Sequence, residues 1–174
     1  MKKIGNTIVE GKLKEEDILK SRKTVRAIIL KDNLVYMLYS KLYNDYIFPG
    51  GGIKEDENHE ETLKRELKEE LGANQVKVIK PLGYIEELRY GINNNNSTYK
   101  QTSYYYICEI DNITNPSYNI REESQGLIPK WIEINEAIKH NNKELLTRDE
   151  KENQGFITVI KRENRILKYI KENY

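Results

Sequence analysis

Cysteine occurs once in the 174 residues, at Cys108, which excludes an internal disulfide framework and any metal cluster built on thiolates. Histidine occurs twice, at His59 and His140, too few for a zinc site made of imidazoles. No stretch approaches the ~18 consecutive apolar residues needed to span a bilayer. The start, Met1 to Asn6, is basic but has no apolar run behind it, so a secretory signal is not expected. A cytoplasmic protein is the expectation, with no membrane partner. An excess of one charge is also lacking: 29 Lys and Arg stand against 28 Asp and Glu, a formal net charge of +1. That balance argues against a broadly basic nucleic-acid binder and against an acidic solubilising tail. The length suits one domain, residues 1–174, able to bury a core without staples.

What is present is a series of short β-branched and aliphatic runs. Thr7 to Val9 reads as a short strand, and Lys12 to Lys20 as a turn or short helix. Thr24 to Leu30 reads as a buried strand, paired through the turn Lys31-Asp32-Asn33 with Leu34 to Tyr39 as a hairpin. Tyr46-Ile47-Phe48 is a third apolar piece, stopped by Pro49 and three successive glycines, Gly50, Gly51 and Gly52. Such a run costs backbone entropy on folding, so it marks a tight turn or a close approach to something.

A helix follows. Asn58 can cap it with Glu61 as reciprocal partner, Leu63, Leu67 and Leu71 form an apolar stripe, and Gly72 ends it. Further strands are expected at Val76 to Ile79, at Gly83 to Leu88 beyond Pro81, at Thr102 to Ile110 and at Leu127 to Ile132. Gly91 to Ser97, with four asparagines, and the polar Asp111 to Gln125 read as loops. A small helix is expected around Asn135 to Lys139, and a last one from Phe156 to Lys171.

On the first helix Glu66 and Glu70 are four residues apart and share a face, and Glu66 and Glu69 are three apart. Like charges at those spacings repel, and packing gives no reason to gather them. A solvated Lys-Glu helix is one reading. A hard divalent cation, held by carboxylate oxygens together with substrate phosphates, is the other.

The glycine run and the helix together resemble the Nudix box, written as Gly, five residues, Glu, seven residues, Arg-Glu, an aliphatic, any residue, Glu-Glu, any residue, Gly, and an aliphatic. Gly51, Glu57, Arg65-Glu66, Leu67, Glu69-Glu70 and Gly72 fall in that register without a gap. Ala73 stands where a larger aliphatic is usual, and Asp56 where many members carry glycine. The resemblance extends from about Thr24 to His140, through Val25 to Ile29, Phe48-Pro49 and Gln125 to Trp131.

Membership of the Nudix hydrolases, among the small bacterial MutT-like proteins, implies an α/β fold, an α/β/α sandwich with a mixed sheet. It implies hydrolysis of a pyrophosphate linkage in a nucleoside diphosphate joined to another group, with Mg²⁺ or Mn²⁺. Oxidised nucleoside triphosphates such as 8-oxo-dGTP are one implied substrate class, and ADP-ribose or another sugar nucleotide the rival. A non-catalytic nucleotide sensor and an RNA-decapping enzyme are further readings. The intact box speaks against the first, and the balanced charge against the second. By the resemblance, Glu66, Glu69, Glu70 and the Gly50 carbonyl hold metal. Gly51, Gly52 and Glu57 form the cofactor-binding loop, and Arg65 pairs with Glu57 or Glu69. Glu66 or Glu69 takes the proton from water, and Glu123, chosen over its neighbour Glu122, is the further carboxylate outside the box. A small nucleotide is the expected partner. A homodimer is common in the family, with the terminal segments free to supply its contact.

Other residues have blander readings. Tyr104, Tyr106, Cys108 and Ile110 share one strand face and read as core, although one tyrosine of the run could stack on a base. Glu86, Glu87 and Arg89 either line the substrate cleft or form a polar strand edge. Trp131 reads as core and His59 as exposed. Lys161, Arg162, Arg165 and Lys168 read as a solvated helix face.

Overall fold

The computed structural model describes residues 1–91, 97–149 and 154–174. The asparagine run 93–96 therefore lies outside the described residues. The chain runs β1 (Ile8–Val9), a 3₁₀ turn (Glu15–Asp17), β2 (Lys20–Ile28), β3 (Leu30–Lys31), β4 (Leu34–Ser40) and β5 (Asp45–Ile47). Then come α1 (His59–Leu71), β6 (Ala73–Tyr90), β7 (Thr98–Ile113), α2 (Ile120–Gln125), β8 (Leu127–Glu133), α3 (Ile134–Thr147) and α4 (Ile157–Asn173).

Two sheets form. The first is mixed, in the order β1-β6-β7-β2, with β6 and β7 antiparallel and β1 and β2 each parallel to its neighbour. In the second, β4 pairs with β8 along one edge and with β3 and β5 on the other. The chain passes from one sheet to the other at Ile29, whose carbonyl accepts from the Tyr36 N–H. The expected hairpin is thus confined to Leu30–Lys31, with Asp32 in the left-handed turn (φ 54°), while the longer upstream part pairs with β7.

Strand alternation divides the core between two helical layers. Val25, Ala27 and Leu38 meet the stripe Leu63, Leu67 and Leu71 of α1. Ile28, Val35, Met37, Ile85 and Tyr105 meet Ile166, Leu167 and Ile170 of α4 and Ala137 of α3. This is the expected α/β/α arrangement with a mixed sheet. The α1 cap is as the spacing predicts: the Asn58 carboxamide accepts from the Glu60 and Glu61 N–H groups, and Gly72 closes the helix at φ 68°.

Several local expectations are corrected. Pro81 does not divide two strands; β6 is continuous, and irregularities at Val78/Lys80 and Pro81/Gly83 absorb the missing donor. The stretch 111–125 is not all loop, since β7 reaches Ile113 and Asn119 caps α2 with Glu122 as reciprocal partner. The small helix extends to Thr147. Trp131 is exposed at 42% and stacks on Tyr36. His59 is half-buried, its Nδ1 2.6 Å from the Tyr106 hydroxyl. Arg162 is buried, because its guanidinium pairs with Glu87 (2.7 Å) and Glu163 instead of meeting water.

Candidate active site

The glycine loop is fastened to the edge of β2. Ala27 N–H donates to the Pro49 carbonyl and Val25 N–H to that of Gly51, both at 2.9 Å, and Ile53 N–H returns to Lys23. Arg26 lies over this seam and donates to the carbonyls of Phe48 (3.0 Å) and Gly50 (2.5 Å). Two glycines are sterically required there. A Cβ on Gly50, at φ 127°, would fall 2.3 Å from the Val25 carbonyl oxygen, and one on Gly51 would fall 2.4 Å from Glu66 Oε1. The Gly51 position is therefore a cradle in which backbone meets a carboxylate.

Helix α1 supplies the acidic side. Arg65 fixes it: its Nε and one Nη donate to Glu57 (2.5 and 2.8 Å), the other Nη donates to Glu66 (2.6 Å), and a further contact reaches the Gly52 carbonyl. Those bonds hold the Glu57 carboxyl down at about 2 and push the Arg65 guanidinium further up. Of the two partners expected for Arg65, Glu57 makes the close bidentate pair and Glu69 a long contact of 3.4 Å.

Glu66, Glu70 and Glu122 bring carboxylate oxygens within 4.8 Å of one another. Glu70 is buried and accepts the Gly50 N–H at 2.6 Å. Loss of water drives its pKa up; Arg26 opposes this, Glu66 adds to it, and the result is about 8. Burial likewise raises Glu122, with the charges of Glu66 and Glu69 acting in the same direction. Three carboxyl groups this close, in a site partly shut from water, offer oxygen donors only, which fits a divalent cation. The structure does not bring Glu69 or Glu123 into the group. Glu69 turns toward Arg65 and is partly exposed, and Glu123 lies on the exposed side of α2.

The cluster opens into a cleft whose other lining sequence reasoning largely missed. Arg22, Arg26, Arg89, Arg121 and Arg162 line it, together with Tyr43 and Phe156, whose rings pack 4.2 Å apart. Arg89 donates to Gln101 at 2.8 Å, and Glu87 stands behind the cleft against Arg162. Two signals were available in the chain. Arg22, Thr24 and Arg26 alternate along one face of a strand, and Asn119-Ile120-Arg121-Glu122 repeats the cap pattern of Asn58 to Glu61.

With this geometry in view, the comparison with known families is decisive: the NUDIX domain model matches residues 20–156. The chain belongs to the Nudix family. A nucleoside triphosphatase, NudI of Enterobacter sp. (strain 638), is 31% identical over 75 residues, covering 39% of this chain and 53% of that protein. The chain thus spans about half the length of the curated relative it matches. Two solved structures share the fold. The E. coli ORF135 protein has a TM-score of 0.50 at 17% identity, covering 83% of this chain and 89% of its own. A NUDIX hydrolase from Nitrosomonas europaea has a TM-score of 0.52 at 17% identity, covering 70% and 78%. In this Nudix chain α4 begins at Ile157, just beyond the matched range, yet its Val159 and Arg162 close one side of the cleft.

Proposed function

We propose that this Nudix protein is a divalent-cation-dependent pyrophosphohydrolase acting on a nucleoside diphosphate linked to another group, with nucleoside triphosphates, oxidised ones included, as its first substrates. The observation that carries the reading is the convergence of Glu66, Glu70 and Glu122 beside the glycine loop, within a cleft otherwise lined by arginine. The triphosphate is placed first because the Enterobacter relative is described as a nucleoside triphosphatase. Residues 1–174 act as one domain in this reading, since α4 contributes Val159 and Arg162 to the cleft that α1 and α2 line from elsewhere.

Glu66, Glu70, Glu122 and the Gly50 carbonyl would hold Mg²⁺ or Mn²⁺. When bound, the cation supplies charge neutralisation at the phosphoryl oxygens and a more acidic water. Arg65 keeps Glu66 aimed at that point, and Arg26 keeps the Gly50 carbonyl in place. Each carboxylate can give one oxygen to the cation and retain a second. Glu122, the half-buried member of the cluster, is the carboxylate assigned to accept the proton of the attacking water. Tyr43 and Phe156 offer apolar surface for the base.

The test is product analysis over nucleoside triphosphates, sugar nucleotides and dinucleotides, with Mg²⁺ and with chelator. A nucleoside monophosphate and pyrophosphate should appear from the triphosphate, and turnover should stop in chelator and in Glu66→Gln. Failure to turn over any of the panel, or full activity in Glu66→Gln, contradicts the reading.

A further inference from the structure

The positive side of the cleft holds more charge than the protein itself uses. Three of its five arginines are committed. Arg26 serves the Phe48 and Gly50 carbonyls, Arg89 bonds Gln101, and Arg162 pairs with Glu87 and Glu163. The side chains of Arg22 and Arg121 have no hydrogen bond or ion pair among the described residues. Arg22 nonetheless sits half-buried beside the glycine loop: a Cβ on Gly52 would lie 3.5 Å from its guanidinium. Burial, followed by the charges of Arg26, Arg89, Arg121 and Arg162, pulls its pKa down to about 10. A cation kept among like charges without an anion works against the isolated fold, so folding alone gives no reason for it. Arg121 adjoins Glu122 on α2, so one short helix presents a carboxylate to the acidic cluster and a guanidinium beside it.

We infer that Arg22 and Arg121 together bind the terminal phosphoryl group of a nucleoside triphosphate, beyond the phosphate at the acidic cluster, and thereby select triphosphates over diphosphate-bridged sugar nucleotides. The inference rests on the pyrophosphohydrolase reading for its substrate, but not for its anion site. A terminal phosphoryl group carries about −1.5 to −2 charge at neutral pH and three acceptor oxygens. The bridging phosphates of a sugar nucleotide each have fewer free oxygens and less charge. Two unpartnered guanidinium forks match the former, since each can bond two phosphoryl oxygens at once.

The test compares the parent, Arg22→Gln, Arg121→Gln and Arg22→Lys, with Lys168→Gln as a charge-matched control on the exposed side of α4. For a nucleoside triphosphate, kcat/KM should fall about tenfold to a hundredfold in each Gln variant, mainly through KM. For the sugar nucleotide of the same nucleoside, the two Gln variants should stay within about threefold of the parent, because fewer contacts are lost. Arg22→Lys should recover part of the loss, and Lys168→Gln should behave as the parent.

A second readout needs no turnover. In chelator, inorganic tripolyphosphate should raise the melting temperature of the parent more than pyrophosphate does, and Arg22→Gln should abolish that difference. Arg22→Gln removes no contact on which folding depends, so its ligand-free melting temperature should equal or exceed the parent's. Equal losses on both substrates, or no loss on either, overturn the inference. If tripolyphosphate binds through Arg22 but no nucleotide is hydrolysed, the anion site stands and the pyrophosphohydrolase reading fails. If triphosphates are hydrolysed equally by parent and variants, that reading stands and the selection by arginine fails.

Discussion

Glu70 accepts the Gly50 N–H inside the fold, and burial lifts its pKa to about 8 against 4.5 for an ordinary glutamate. In cation-free protein the folded state therefore keeps a proton that the unfolded chain has already released. Stability from this group is complete below about pH 4.5 and is lost as the pH rises through about 8. Urea unfolding in chelator should accordingly show the parent losing stability over that window more steeply than Glu70→Gln. Saturating Mg²⁺ should flatten the parent's slope and release protons near neutral pH; a slope that rises with pH would contradict the assignment. Gly51 carries a second expectation at this scale. Gly51→Ala places a methyl against the Glu66 carboxylate, so affinity for Mn²⁺ should drop more than about tenfold, as read by titration. That the glycine run needed a close neighbour was legible in the sequence. That the neighbour was Glu66 was not, because the contact joins residues fifteen positions apart through the path of the loop.

At the scale of the element, α1 and α2 make an instructive pair. Both begin with an asparagine cap and a glutamate three residues on, and both end at a left-handed glycine. The first was legible because a leucine stripe follows its cap. Replacing that cap, Asn58→Ala, should cost about 1 kcal/mol in chemical denaturation, against about 2–5 kcal/mol for Leu67→Ala in the core. The second is six residues long with no buried residue, so hydrophobic periodicity is silent and only the cap pattern speaks. The consequence is functional. Neighbouring residues on a helix point about 100° apart, from ~3.6 residues per turn, so the one-position difference between Glu122 and Glu123 decides which carboxylate meets Glu66 and Glu70. Strand β6 is a parallel case: Pro81 reads as a break, but local irregularities in the ladder let the strand continue past it.

The whole molecule adds what no local pattern carries. The parallel pairing of β2 with β7 brings residues nearly eighty positions apart into register and sets Arg22 and Arg26 on the same face as Gln101 and Ser103. Helix α4 then covers that face. Its Arg162 is buried between Glu87 and Glu163, and Glu163 also accepts the Phe48 N–H at 3.0 Å, just before the glycine loop. Charge periodicity along α4 suggests solvent for Arg162 because one of its two partners, Glu87, lies on β6, seventy-five positions away. Arg162→Met should leave two buried carboxylates without their counter-charge and cost about 3–5 kcal/mol in urea unfolding, far more than Lys161→Met on the exposed face.

The central claim is that carboxylates from two separate helices form one cation site. The most direct measurement is a Mn²⁺ titration of the parent, Glu122→Gln and Glu123→Gln. Glu122→Gln should lose more than about tenfold in affinity while Glu123→Gln binds as the parent does. Parent-like binding by Glu122→Gln, or loss confined to Glu123→Gln, would contradict the site described.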